Sequence, residues 1–122
     1  MQTKTYSLPE WNFVGGETQK RTFTLYETGA DERYNLEGAT AEIVVVDFVN
    51  HRSAPSLRKE VVIQMDSEEN YCEAVVVLSP GDTLNLFGKF IYQITIKDSV
   101  GNVAALKGVM RISENINKTF VS

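Results

Sequence analysis

The stretch GKFIYQITIKDSVGNV, residues 88–103, decides the fold class. Phe90, Tyr92, Ile94 and Ile96 occupy every second position, with Ile91, Gln93, Thr95 and Lys97 between them. Successive side chains of an extended strand point to opposite faces, so this spacing predicts a strand with the first set committed to a core. Gly88 releases the chain into the strand, and the alternation stops at Asp98, Ser99, Val100, Gly101 and Asn102. Those residues predict a tight hairpin turn, with Gly101 and Asn102 supplying backbone freedom.

The same period of two recurs along the chain. QKRTFTLYE (19–27) places Arg21, Phe23 and Leu25 on one face of a strand and Lys20, Thr22, Thr24 and Tyr26 on the other. ATAEIVVVDFV (39–49), LRKEVVIQM (57–65), CEAVVVL (72–78) and VAALKGVMRI (103–112) complete the main set, and a further strand is expected near residues 5–8 or 12–14. Turn chemistry separates them at Gly15-Gly16, at 29–31, at 50–56 around Pro55 and at 66–70. Six or seven short strands in 122 residues predict an all-β protein, an antiparallel sandwich or small barrel. A single domain over residues 1–122 is expected, with 1–14 an N-terminal arm or first strand and 114–122 a polar tail. In SPGDTLNLF a short helical turn is expected near residues 80–86, because Ser79 can cap it, Pro80 suits its first position and Asp82 favours its dipole.

Composition narrows the function. Twelve basic against sixteen acidic residues give a net charge of -4, which argues against nucleic acid as a partner. The nearest basic grouping, His51, Arg52, Arg58 and Lys59, is interrupted by Glu60 and reads as a solvated loop. One cysteine, Cys72, permits no intramolecular disulfide. The opening MQTKTYSLPEWNF has no apolar run of signal-peptide length, and no segment approaches the roughly 20 apolar residues of a membrane span. A soluble protein made in the cytoplasm is expected.

Catalytic and metal-binding patterns are thin. His51 has no partner spacing for a triad or a zinc site, and Cys72 opens an apolar strand with no neighbour to lower its pKa. The acidic group Asp66, Glu68, Glu69 and Glu73 lacks the alternating ligands and central glycine of a calcium loop. Gly15-Gly16 is followed by no lysine or helix start suited to phosphate. The chain is read as not an enzyme, with no cofactor and no metal.

One strand breaks the usual pattern. In residues 41–49, Ala41, Ile43 and Val45 form one apolar set while Val44, Val46 and Phe48 form a second on the opposite face. Residues 74–78 behave similarly, with Val75 and Val77 opposite Ala74, Val76 and Leu78. The second set needs a cover, either the protein's own loops and arm or a neighbouring protein. Tyr6, Trp11 and Phe13 in the arm, with Ile116 and Phe120 in the tail, are candidates for that contact, beside Val44, Val46 and Phe48.

YNLEGATAEI (34–43), LNLFGKFIYQITIKDSVGNV (84–103) and GVMRISENINKTF (108–120), together with the upstream Gly16-Glu17-Thr18, resemble in order and spacing the N-terminal domain of phage baseplate upper proteins. This family occurs in tailed phages and prophages of Gram-positive bacteria. The resemblance implies an immunoglobulin-like sandwich of about seven strands acting as an attachment module in the virion tail tip. Its implied partners are a distal tail protein or a receptor-binding protein, and it implies a homo-oligomer in the assembly. Larger members continue past the position of Ser122 into the part that carries receptor binding, so attachment is the expected function here. Many immunoglobulin-like sandwiches have a corner Asp-x-Gly-x-Tyr. NLFGKFIY puts Phe90 in the tyrosine's place, so the corner bond is missing or is made by Tyr92. The second reading is a carbohydrate-binding β-sandwich, which would need Trp11, Tyr6 and Tyr34 as an aromatic platform.

Overall fold

A computed structural model of the chain describes residues 8–23, 25–26, 33–34, 36–50, 52–66 and 71–121. Its strands are β1 (Trp11–Val14), β2 (Gln19–Phe23), β3 (Leu25–Tyr26), β4 (Arg33–Tyr34), β5 (Thr40–Asp47), β6 (Leu57–Asp66), β7 (Tyr71–Leu78), β8 (Gly88–Lys97) and β9 (Val103–Ser113). Two four-residue helices, α1 (Pro80–Thr83) and α2 (Lys118–Val121), complete the elements.

Hydrogen bonding runs in the order β1-β9-β8-β5-β6-β7-β2, and β6 is where this order folds over. Residues 57–61 of β6 pair with β5, whereas residues 62–66 pair with β7. One long strand therefore belongs to both layers of a sandwich. The strands β5, β8 and β9 take the places of C, F and G in an immunoglobulin sandwich, β7 and β2 those of E and B, and β6 those of the linking strands between C and E. The fold is immunoglobulin-like.

Three features differ from the sequence expectation. The sheet is mixed, because β1 runs parallel to β9 with Trp11 opposite Met110 and Phe13 opposite Ile112. The expected strand 19–27 is divided: β2 ends at Phe23 on β7, and Leu25–Tyr26 pairs instead with Arg33–Tyr34. The tail, expected to be only polar, contains α2.

The core is built from both layers. Ile43, Val45, Tyr92, Ile94, Ile96, Leu106 and Met110 come from one layer, and Phe23, Ala74, Val76 and Leu78 from the other. The alternation in β8 is its burial pattern, with Phe90, Tyr92, Ile94 and Ile96 all enclosed. Trp11 and Phe13 are enclosed too, at 1% and 7% exposure. The Trp11 ring packs edge-on against Tyr92 at 5.6 Å and against Phe13 and Phe23 at 5.8 and 6.2 Å. Its Nε1 donates to Gln19 Oε1 at 3.1 Å, and the Arg21 guanidinium lies 4.7 Å from the ring centre. The arm is thus an edge strand of the sandwich whose Trp11 and Phe13 side chains face the core, and neither can meet a partner.

Side chains close the corners. In the β8–β9 hairpin, Asp98 Oδ1 accepts from the N–H groups of Val100 and Asn102 at 3.0 and 2.8 Å, and Gly101 takes φ +96°. Before α1, the Asp82 carboxylate accepts from Ser79 N–H at 2.7 Å and pairs with Lys59 Nζ at 2.5 Å. The buried Thr83 Oγ1 accepts from Gly16 N–H at 3.0 Å, which ties α1 to the crossover between β1 and β2.

The corner bond has moved. Tyr92 donates its hydroxyl to the Pro9 carbonyl at 3.0 Å, so it fastens the start of β1 rather than the turn before β8. Burial raises its phenol pKa, while the nearby Arg21 charge and its hydrogen bond pull the other way. A raised folded pKa means the stabilisation is present below the unfolded phenol value of about 10 and is lost as pH climbs through the folded value. In an absorbance titration, the difference between wild type and Tyr92→Phe should show one of the five tyrosines ionising late, with alkaline destabilisation on the same pH range. A phenol titrating with the others would contradict this.

Candidate functional site: the outer face of the β5-β8-β9 layer

The outward positions of β5, β8 and β9 fall into cross-strand rows. Val44 lies opposite Gln93, Val46 opposite Ile91, Ile91 opposite Val109, and Gln93 opposite Lys107. Val44, Val46, Ile91 and Val109 are half-buried, forming an apolar stripe on a surface that faces water. Phe48 extends the stripe with 38% exposure, and Lys89 Nζ sits 3.7 Å above its ring. Val44, Val46, Ile91, Gln93 and Lys107 line a depression of about 260 Å3. Two more depressions flank it on the same face, one around Glu42, Glu60, Thr95 and Lys97, the other around Leu8, Glu10, Lys89 and Arg111.

The rim is charged. Arg58 pairs with Glu42 at 2.6 Å, and Arg111 pairs with Glu10. Across the face, Arg58, Lys89, Lys97, Lys107 and Arg111 stand against Glu10, Glu42 and Glu60, a cationic excess on a chain whose net charge is -4. Such a face suits apolar contact ringed by ion pairs, the arrangement of protein contact surfaces.

The residues singled out from sequence separate into groups. Val44, Val46 and Phe48 lie on this stripe. Ile116 and Phe120 are exposed on the tail, beyond the end of β9. Trp11 and Phe13 are core residues, and Tyr6 lies outside the described residues. A glycan platform loses Trp11, and the side chains of Tyr6 and Tyr34 are likewise outside the description. Gly88 takes φ +118°, Asp98 is buried, and Asn102 is half-buried with its side-chain amide on Asp98 Oδ2 at 3.1 Å. In β7, Val75 is buried and only Val77 of that second set is partly exposed. His51, Glu68 and Glu69 are outside the described residues. Arg58 and Lys59 turn to opposite faces and pair with Glu42 and Asp82, so they form no basic patch.

Ile91, Val109 and Lys107 were not foreseen. The available signal was Ile91, the apolar exception among Gln93, Thr95 and Lys97 on the outward side of β8. Among the described residues no group of three or more His, Cys, Asp or Glu is placed to hold a metal ion. No described helix is long and apolar enough to cross a membrane.

No family model and no curated protein matches the chain. Among solved structures, it is similar to AggA, the major subunit of aggregative adherence fimbriae type I from Escherichia coli. The identity is 10%, the TM-score is 0.42, and the match covers 91% of this chain and 94% of that one.

Proposed function

We propose that this chain is a structural attachment module of a phage or prophage tail baseplate, docking to other tail proteins through the outer face of β5, β8 and β9. The observation that carries the reading is the apolar stripe Val44, Val46, Ile91 and Val109 on an outward sheet face. An outward face of an antiparallel layer is ordinarily polar, so a run of aliphatic rows framed by charge favours a protein contact. The ordered sequence likeness to baseplate upper proteins supplies the kind of assembly. The mechanism is shape and apolar complementarity, with rim charges setting register.

The test is complex formation with a phage distal tail protein, followed by light scattering. The double variant Val46→Lys/Ile91→Glu, whose new charges are opposite in sign across the strand pair, should weaken that complex at least tenfold while the variant stays folded by circular dichroism, with a stability cost of about 1 kcal/mol. No complex at high micromolar concentration would overturn the reading.

A further inference from the structure

Among the described residues, the large apolar side chains of Ile116 and Phe120 are 97% and 86% exposed. They are not on a loose end. Asn115 Nδ2 donates to the Gly15 carbonyl at 2.7 Å, and Asn115 Oδ1 accepts from Asn117 N–H at 2.7 Å. Phe120 N–H then closes on the Asn117 carbonyl at 3.2 Å in α2. The tail is a short hook fixed to the corner of the sandwich, with Ile116 just before α2 and Phe120 inside it. Fixed apolar groups in water cost free energy that a contact would recover.

The same chain carries a receptacle of matching character. The depression at Val44, Val46 and Ile91 has a volume of about 260 Å3. An apolar cavity of roughly 150 Å3 is already large enough for a benzene ring, so this one has room for a phenyl ring and part of an aliphatic neighbour. Lys107 stands on its wall, and Glu114 stands at the base of the hook. Both are exposed, and among the described residues neither is in an ion pair.

The hook is held away from the receptacle of its own chain. The nearer wall, Ile91, lies level with Val109, four residues before Ser113 and about 13 Å away at strand rise, and the bond from Asn115 to Gly15 anchors the hook at the β1–β2 turn. We propose that the hook of a second copy of this chain seats Ile116 and Phe120 in the Val44–Val46–Ile91 depression, with its Glu114 against Lys107. The contact joins two different patches, so it is head-to-tail and repeats from copy to copy, closing into a ring or extending as a filament. This rests on the reading of the outer face as a docking surface and names its occupant.

Sedimentation of the wild-type protein over rising concentration should show self-association. The hook variant Ile116→Asp/Phe120→Asp and the receptacle variant Val46→Lys/Ile91→Glu should each stay monomeric, with association weakened at least tenfold, the first with an unchanged melting curve and the second still cooperatively folded. Mixed together, they should form a 1:1 dimer and nothing larger, because one keeps its receptacle and the other its hook. Lys107→Glu should weaken association, and Lys107→Glu/Glu114→Lys should restore it. A wild type that stays monomeric at high micromolar concentration, or a mixture of the two variants that stays monomeric, overturns the proposal. Binding of the distal tail protein is measured on the same samples. A monomeric wild type that binds it overturns the hook and leaves the attachment reading standing. Failure of the hook variant, whose outer face is free, to bind the distal tail protein overturns the attachment reading and leaves the hook standing.

Discussion

Trp11→Ala should cost about 3–5 kcal/mol, the usual loss for truncating a buried aromatic side chain. Domains of this kind have roughly 5–15 kcal/mol in total, so the variant should unfold at far lower urea and be partly unfolded at moderate temperature. The indole joins the two layers: its ring meets Phe23 from β2 and Tyr92 from β8, while β1 itself is hydrogen-bonded to β9. Alanine would leave a cavity bounded by Phe13, Phe23 and Tyr92 and would strand the Gln19 amide that accepts from Nε1. Circular dichroism against urea measures the effect, since the variant has no tryptophan left to report. A midpoint equal to wild type would mean that the indole is not in the core. Any loss of glycan or protein binding in this variant would reflect unfolding, which makes it unsuitable as a test of a binding platform.

Gly15→Ala should also destabilise the fold. A Cβ at Gly15 would lie 2.7 Å from the Thr83 carbonyl oxygen and 3.0 Å from that of Leu86. Both contacts are main chain, so no side-chain rotation relieves them, and the corner around α1 must move. Overpacking of this kind costs typically about 1–3 kcal/mol, and here it also pulls on the Gly16 N–H bond to Thr83. Gly81→Ala is the control, because an added Cβ there meets nothing within 4 Å and the position is helical. It should be neutral or stabilising by up to about 1 kcal/mol. Urea midpoints that shift in opposite directions check the pair, and equal midpoints would contradict the close approach at Gly15.

Gly15-Gly16 read as a turn from sequence, and a turn it is, though its reason lay partly elsewhere. Gly16 takes φ +87°, as a turn glycine does, but Gly15 is needed because two distant carbonyls press on it, and nothing in the local sequence announces Thr83 or Leu86. Trp11 and Phe13 show the same limit. Two aromatics with one polar residue between them are consistent with a core-facing strand or with a sticky arm, and only the parallel seat beside β9 separates the two. In β8 the alternation was legible because four core positions repeat without a break. Ile91, on its other face, gains meaning only beside Val46 and Val109, which come from strands far away in sequence.

What the amino-acid order determined by itself is local and periodic. Alternation in β8 names its core face, and Asp98, Gly101 and Asn102 specify the hairpin between β8 and β9. Side-chain direction in a strand follows residue parity, and turn geometry follows from a few neighbouring residues. The tertiary structure alone decided which of two apolar faces went inward, that β1 joins β9 in parallel, and that β6 serves both layers. Those outcomes depend on which strands lie side by side, and pairing is set by contacts between residues tens of positions apart, where no short sequence pattern reaches.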